Sequence, residues 1–355
     1  MEMSMINILN DAMQKNASDI YIVAGSPICY KVMGNIYNID DNKLTHIDTA
    51  KLITELYSYF ENGNINRVNY DGDDDFSISI PELGRFRCNT YKQRGSLAAV
   101  LRTVKFELPD FKDLMIPESV MKFSDLKKGL VLVTGPAGSG KSTTLASIID
   151  RINDNYHKHI ITIEDPIEYI HRHKKSIVSQ REIELDTKNY SKALRAALRQ
   201  SPDVVLLGEM RDFETIQTAI TAAETGQLVL STLHTIGAAK TIDRIIDVFP
   251  SQGQQQVRIQ LSMVLQAVVS QQLIPCIQGG LVPAFEIMIC NSAIRNMIRE
   301  SKVHMMDNTI YGSSEEGMIT MDESIINLYK EGKITGKNAV FYATNKDTML
   351  KKVQL

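Results

Sequence analysis

Hydrophobic positions in this chain follow two rhythms. Over residues 1–105 they come as short runs at 20–23, 28–32, 76–80, 85–91 and 97–103, broken by turn residues such as Gly25-Ser26-Pro27. That punctuation predicts strands. Helical spacing occurs at 5–15, through Ile6, Leu9 and Met13, and again at 49–60. A small mixed α/β unit is expected. Its acidic run DGDDD, residues 71–75, lacks the glutamate and spacing of a calcium loop, so a solvated turn is expected there.

Residues 106–117 carry Pro109 and Pro117 with little periodicity and read as an interdomain linker. Beyond it, apolar strand candidates recur at 129–134, 159–164, 204–207 and 228–233, with helical segments between them. Strands apolar on both faces that alternate with helices indicate a parallel sheet covered on both sides. From residue 254 onward the pattern is mainly helical, at 254–272, 292–300 and 322–331. The expected fold class is α/β, with an α+β unit over 1–105, the linker, and a second domain over 118–355 that ends in helices.

Composition changes this picture little. The 355 residues, 43% hydrophobic and 23% charged, suit a globular chain of two or three domains. The net charge of −3 makes no general case for nucleic acid. Cys29, Cys88, Cys276 and Cys290 show neither CxxC spacing nor a His/Cys cluster, so reduced thiols are expected. The pairs His157/His159 and His171/His173 read as exposed strand or loop positions rather than metal ligands. No run approaches about 18 apolar residues, and the N-terminus lacks a basic stretch followed by an apolar core. A cytoplasmic protein without membrane span or signal peptide is expected.

The strongest chemical signal is GPAGSGKS: Gly135, Pro136, Ala137, Gly138, Ser139, Gly140, Lys141 and Ser142, followed by Thr143. It lies between an apolar strand and a helix, the order a phosphate-binding loop requires. The glycines turn backbone N–H groups inward around phosphate oxygens, with the positive end of the helix behind them. Lys141 is expected to reach the β- and γ-phosphates of ATP, and the Ser142 hydroxyl to ligate Mg²⁺. Two acidic stations follow. Glu164 and Asp165 end the strand of ITIEDPIE, and Glu209 ends that of DVVLLGEMRD, where Gly208 stands in place of the usual Walker B aspartate. Carboxylates at the carboxyl ends of parallel strands face the ligand crevice. The expected cation site is therefore Ser142 with phosphate oxygens, Glu164 and Asp165 acting through water. Asp212, before FETIQTAI, is an N-cap candidate. His234, closing STLHT after a third apolar strand, is a candidate γ-phosphate sensor.

Together with ASDIYIVAG (17–25), GRFRCNTY (84–91), SQREI, the histidine box STLHTIGAAKTIDRIIDVFP and SQQLIP, these motifs cover nearly the whole chain. They resemble the PilT family, the retraction ATPases of type IV pili within the secretion ATPase superfamily. The resemblance implies a PAS-like N-terminal domain, a RecA-like ATPase domain and a homohexameric ring. It also implies an inner-membrane platform protein as partner, at the cytoplasmic face of the pilus machine, and ATP hydrolysis coupled to pilin disassembly. By position it makes Glu164 part of the Asp box, Glu209 the Walker B acid and His234 the histidine-box residue; it leaves open which glutamate activates the water, and Glu209 is the favoured one. It implies too that arginines of GRFRCNTYKQRGSLAAVLR, namely Arg85, Arg87, Arg94 and Arg102, serve a nucleotide when the domains close about the linker. AIRNMIRE, residues 293–300, matches a signature of retraction ATPases, with Ile294, Met297 and Ile298 on one face and Arg295 and Arg299 on another.

Gln227 stands where that family usually has a second histidine, ASDIYIVAG replaces the commoner leucine–histidine form, and Gln200-Ser201 replaces an acidic pair. Glutamine donates a hydrogen bond but does not titrate near neutrality, so altered rate or subunit coupling is the expected consequence. Three other readings stay open: an assembly or secretion ATPase of the same superfamily, a nucleotide-gated subunit with little turnover, and a RecA-like nucleic-acid motor. AIRNMIRE, the missing tetracysteine zinc module and the short N-terminal region count against the first. The charge balance and the absence of tryptophan count against the last.

Overall fold

The computed structural model describes residues 4–32, 34–60, 63–104 and 108–354. They divide into two compact units, Met1–Glu107 with Glu168–Ile170, and the remainder.

In the first unit, six antiparallel strands run in the order β3-β2-β1-β6-β5-β4. They are β1 (Asp19–Ile22), β2 (Cys29–Val32), β3 (Asn35–Asn38), β4 (Asp73–Ile80), β5 (Gly84–Gln93) and β6 (Ser96–Val104). One face carries Ile20, Ile22, Phe76, Ile78, Phe86 and Leu101 and packs with Leu9 of the helix Met5–Gln14 and with Leu52, Ile53 and Leu56 of the helix His46–Ser58. The second of these helices starts at a Thr45/Asp48 capping box. Strand β3 is exposed at all four positions, so no alternation announced it. The acidic run is not a solvated turn. Asp73–Asp75 open β4, and Asp74 points inward, where it accepts the Tyr57 hydroxyl at 2.8 Å.

The second unit holds seven strands in the order β13-β12-β7-β11-β10-β8-β9. They are β7 (Gly129–Thr134), β8 (His159–Glu164), β9 (Ile177–Glu182), β10 (Val204–Leu207), β11 (Leu228–Leu233), β12 (Leu265–Pro275) and β13 (Leu281–Ile289). All neighbours from β12 to β9 are parallel, and only β13 runs antiparallel. This is a RecA-like α/β sheet. Every residue of β7, β10 and β11 is buried, because helices cover both faces.

The expected helix at 254–272 is half a helix and half a strand. It stops at Val264, and β12 takes the slot beside β7. The apolar spacing continues through Leu261, Leu265 and Val268, so periodicity alone gave no stop. The stop comes from the AIRNMIRE helix, Ser292–Arg299. Arg295 donates through Nη1 to the carbonyls of Ser262 and Met263, at 2.6 and 3.0 Å, and through Nη2 to Gln266 Oε1 at 3.1 Å. The two carbonyls are last-turn acceptors a helix leaves unsatisfied. Strands β9 and β13 were also unforeseen, and β13 carries Pro283, tolerated because it is an edge strand.

Leu108 onward is packed rather than extended as a linker: Ile116 is buried in the second unit's core, with Phe111 and Leu114 against it. Phe106 and Glu107 of that stretch lie outside the described residues. Among the described residues no helix is long and apolar enough to cross a membrane.

Candidate nucleotide site

Strand order decides what meets what. Because β7, β11, β10 and β8 are parallel neighbours in that order, their carboxyl ends form a row at steps of about 4.8 Å. The residues leaving those ends are Gly135, His234, Gly208-Glu209 and Glu164-Asp165, from stretches up to a hundred positions apart.

The loop after β7 is shaped by what it rests on. Gly135 has φ 142°, and a Cβ there would lie 2.2 Å from the Gln271 carbonyl oxygen and 2.8 Å from Ser139 Oγ, so only glycine fits. Pro136, Ala137 and Gly138 form an exposed tip. Gly140, at φ 85°, is the N-cap of the helix Lys141–Asn155 and offers no side-chain cap, which leaves first-turn N–H groups for a ligand. Lys141 is buried, its Nζ donating to the Gly135 and Pro136 carbonyls at 2.8 and 2.9 Å. Ser142 and Thr143 are half-buried in the first turn. Ser139 Oγ and Thr134 Oγ1 are buried without a hydrogen-bond partner among the described residues. Orphan hydroxyls, uncapped amides and a buried ammonium are a donor set that fits a polyphosphate. Gln271 on β12 braces this loop and accepts Thr144 Oγ1 at 2.7 Å. The helical reading of its segment hid it.

Glu209 is buried and has both carboxylate oxygens engaged, Oε1 by Arg211 and Oε2 by His234 Nε2 at 3.2 Å. Its charge raises the Arg211 pKa further, chiefly through their hydrogen bond. Glu164 is half-buried and accepts Thr162 Oγ1 at 2.6 Å and Gln180 Nε2 at 3.4 Å, while Asp165 is exposed. Asp212 caps the helix Phe213–Glu224 through the Thr215 amide at 2.9 Å. Gly208 is glycine for packing: a Cβ there would stand 2.7 Å from the Tyr190 hydroxyl. Sequence reading missed Tyr190, whose phenol is pushed well up by burial and then by the charges of Asp165 and Glu209. Among the described residues no group of three or more His, Cys, Asp or Glu could hold a metal ion, so a cation here would need phosphate oxygens beside Ser142.

The four arginines of the first unit do not form one cluster. Arg85 and Arg87 share a face of β5, with Arg102 of β6 directly opposite Arg87. Arg102 is paired with Asp19 at 3.0 Å. Arg94, at φ 48°, sits in the β5–β6 hairpin turn, seven residues and roughly 20 Å along the strand from Arg87. Nor are all four histidines exposed. His159 is held between the Gln200 carbonyl at 3.0 Å and Ser179 Oγ at 3.1 Å, and His171 lies 3.9 Å from Asp150. That contact, with Lys174, holds the Asp150 carboxyl below its usual range. Gln227 precedes β11, at the end of the sheet opposite the phosphate loop, and accepts Thr225 Oγ1 at 2.8 Å.

The model of the type II/IV secretion system protein family matches residues 1–345. The type IV pilus retraction ATPase PilT of Pseudomonas aeruginosa is 45% identical over 337 residues, 95% of this chain and 97% of that protein. A twitching motility protein of Neisseria gonorrhoeae is 41% identical, covering 98% and 92%. The crystal structure of the pilus retraction motor PilT with bound ADP aligns with a TM-score of 0.89 at 48% identity over 98% of each chain. The ATPase DotB of Legionella pneumophila aligns at 0.81 and 27% identity over 95% and 94%. The chain belongs to the type II/IV secretion system protein family and, within it, to the PilT ATPases.

Proposed function

We propose that this chain is a Mg²⁺-dependent ATPase that drives type IV pilus retraction, as a homohexamer on the inner-membrane platform protein at the cytoplasmic face of the pilus machine. The observation that carries the enzymatic part is the row of Gly135, His234, Glu209 and Glu164 along one sheet edge, with a polyphosphate-shaped loop at its end. The pilus role rests on the likeness to PilT over nearly the full length of both chains.

In this reading the Lys141 ammonium leaves the Gly135 and Pro136 carbonyls for the β- and γ-phosphates, one set of oxygen acceptors for another. Ser142 would hold Mg²⁺ with phosphate oxygens, Glu164 and Asp165 acting through water; the bound cation neutralises charge on the β- and γ-oxygens. Glu209 orients the attacking water. His234 also touches Glu209, so a γ-phosphate that draws His234 away frees Oε2 to accept a proton from that water. Water oxygen then bonds to the γ-phosphorus as the bridge to the β-phosphate breaks, leaving ADP and phosphate. Of the four arginines, Arg87 and Arg94 are exposed and have no ion pair among the described residues, which leaves both available to a nucleotide. Arginines in such a role add about 10³–10⁵ to turnover.

The test combines enzyme and cell. Purified chain should hydrolyse ATP with Mg²⁺, and Lys141→Ala should abolish this; unchanged turnover in the variant overturns the loop's role. Deleting the gene should leave cells with excess unretracted pili. Bald cells would assign the chain to assembly instead.

A further inference from the structure

We propose that Tyr190 is a positioning residue for hydrolysis, its hydroxyl linking the ends of β8 and β10 through the attacking water; the proposal deepens the ATPase reading and rests on it. Tyr190 opens the helix Tyr190–Ala197, its ring packed against the core beneath the sheet. Its oxygen lies 2.7 Å from the point a Gly208 Cβ would occupy, and that same point is 3.4 Å from Glu164 Cα and from the Ile163 carbonyl oxygen. The phenol therefore stands in the gap between the two acid stations. The charges of Asp165, Glu209 and Glu164 all act on it, with Arg211 opposing them. Among the described residues its hydroxyl has no hydrogen-bond partner.

A carboxylate only accepts, whereas a phenol both donates and accepts. A hydroxyl between two acids thus supplies what neither acid has, a proton to give. A water poised for attack must present its lone pair to phosphorus and its two protons to acceptors. The Tyr190 oxygen accepts a hydrogen bond from one of these protons, which stays on the water oxygen, and Glu209 accepts the other as the bond to phosphorus forms, while the Tyr190 proton is directed to the Glu164-Asp165 end. Gly208 is the structural counterpart: any side chain there would collide with this oxygen.

Three variants of the full chain test the idea: Tyr190→Phe, Gly208→Ala and the two combined, each measured for kcat, KM for ATP, binding of a fluorescent ADP analogue and melting temperature. Tyr190→Phe removes one oxygen from a half-buried ring, so melting temperature, KM and ADP binding should stay at wild-type values while kcat falls about tenfold, less than the roughly 10²–10⁴-fold of a group that itself transfers the proton. Gly208→Ala should be more damaging alone, and Tyr190→Phe should rescue it to the level of Tyr190→Phe. A kcat for Tyr190→Phe within about twofold of an active wild type overturns the proposal and leaves the ATPase reading standing. Equal damage by Gly208→Ala in both backgrounds overturns it too, since the contact would not be what demands glycine. A wild-type chain that binds ADP yet hydrolyses no ATP overturns the ATPase reading itself, and Tyr190's role with it.

Discussion

The two ends of the parallel sheet in the second unit treat their polar groups differently. At the carboxyl ends, Gly135 has no room for a methyl group, two hydroxyls are buried without partners, and both oxygens of Glu209 are held by basic side chains. At the amino ends Gly129 is as tight, a Cβ there falling 2.6 Å from Gln266, but the polar groups are satisfied. The His159 amide donates to Asp203 Oδ2 at 2.8 Å, the His159 ring meets the Gln200 carbonyl, and the Gly129 amide donates to the Gln227 carbonyl at 3.0 Å. Buried groups left unsatisfied mark the end with chemistry to do. The departures from the family pattern at Gln200-Ser201 and Gln227 all fall at the quiet end, about 20 Å from the phosphate loop along strands of this length. They alter no contact of the residues around the phosphate loop.

The sharpest break of that contrast is Gly135→Ala. With a methyl driven to 2.2 Å from a backbone oxygen, the loop must rebuild, and ADP binding by calorimetry should be lost. Next is His234→Ala, which removes one of the two partners of Glu209. It should lower kcat by about 10²-fold, in the range for a residue assisting proton transfer, with ADP affinity kept. Third is Arg295→Ala, beside the amino end of β12. It leaves helix-end carbonyls at Ser262 and Met263 without their cation and should destabilise the fold by about 1–3 kcal/mol in urea, while ATP turnover of the folded fraction stays near wild type. Smallest is Gln227→His: steady-state ATPase should stay within about twofold, and a tenfold change would mean the amino end is not quiet.

How far the chain could be read without coordinates follows from locality. The strands β7, β8, β10 and β11 were legible because each is a continuous apolar run between turn signals, and the phosphate loop because its residues adjoin. Glu164, Glu209 and His234 followed, each at or just past a strand end, and Asp212 as the cap before a helix. What stayed hidden depends on partners distant in sequence. The end of the helix at Val264 is set by Arg295, the shape of the loop by Gln271, and the glycine at 208 by Tyr190. AIRNMIRE shows the same limit: its spacing read as an amphipathic face, but Arg295 turns inward as a clamp, so Arg299 is the arginine left exposed there.

The most direct test of the account is to measure nucleotide binding and ATP hydrolysis on Glu209→Gln and Glu164→Gln side by side. The arrangement predicts that Glu209→Gln binds ATP as tightly as wild type and loses turnover by about 10²–10⁴-fold, with the smaller loss in Glu164→Gln. Wild-type hydrolysis in Glu209→Gln would contradict it.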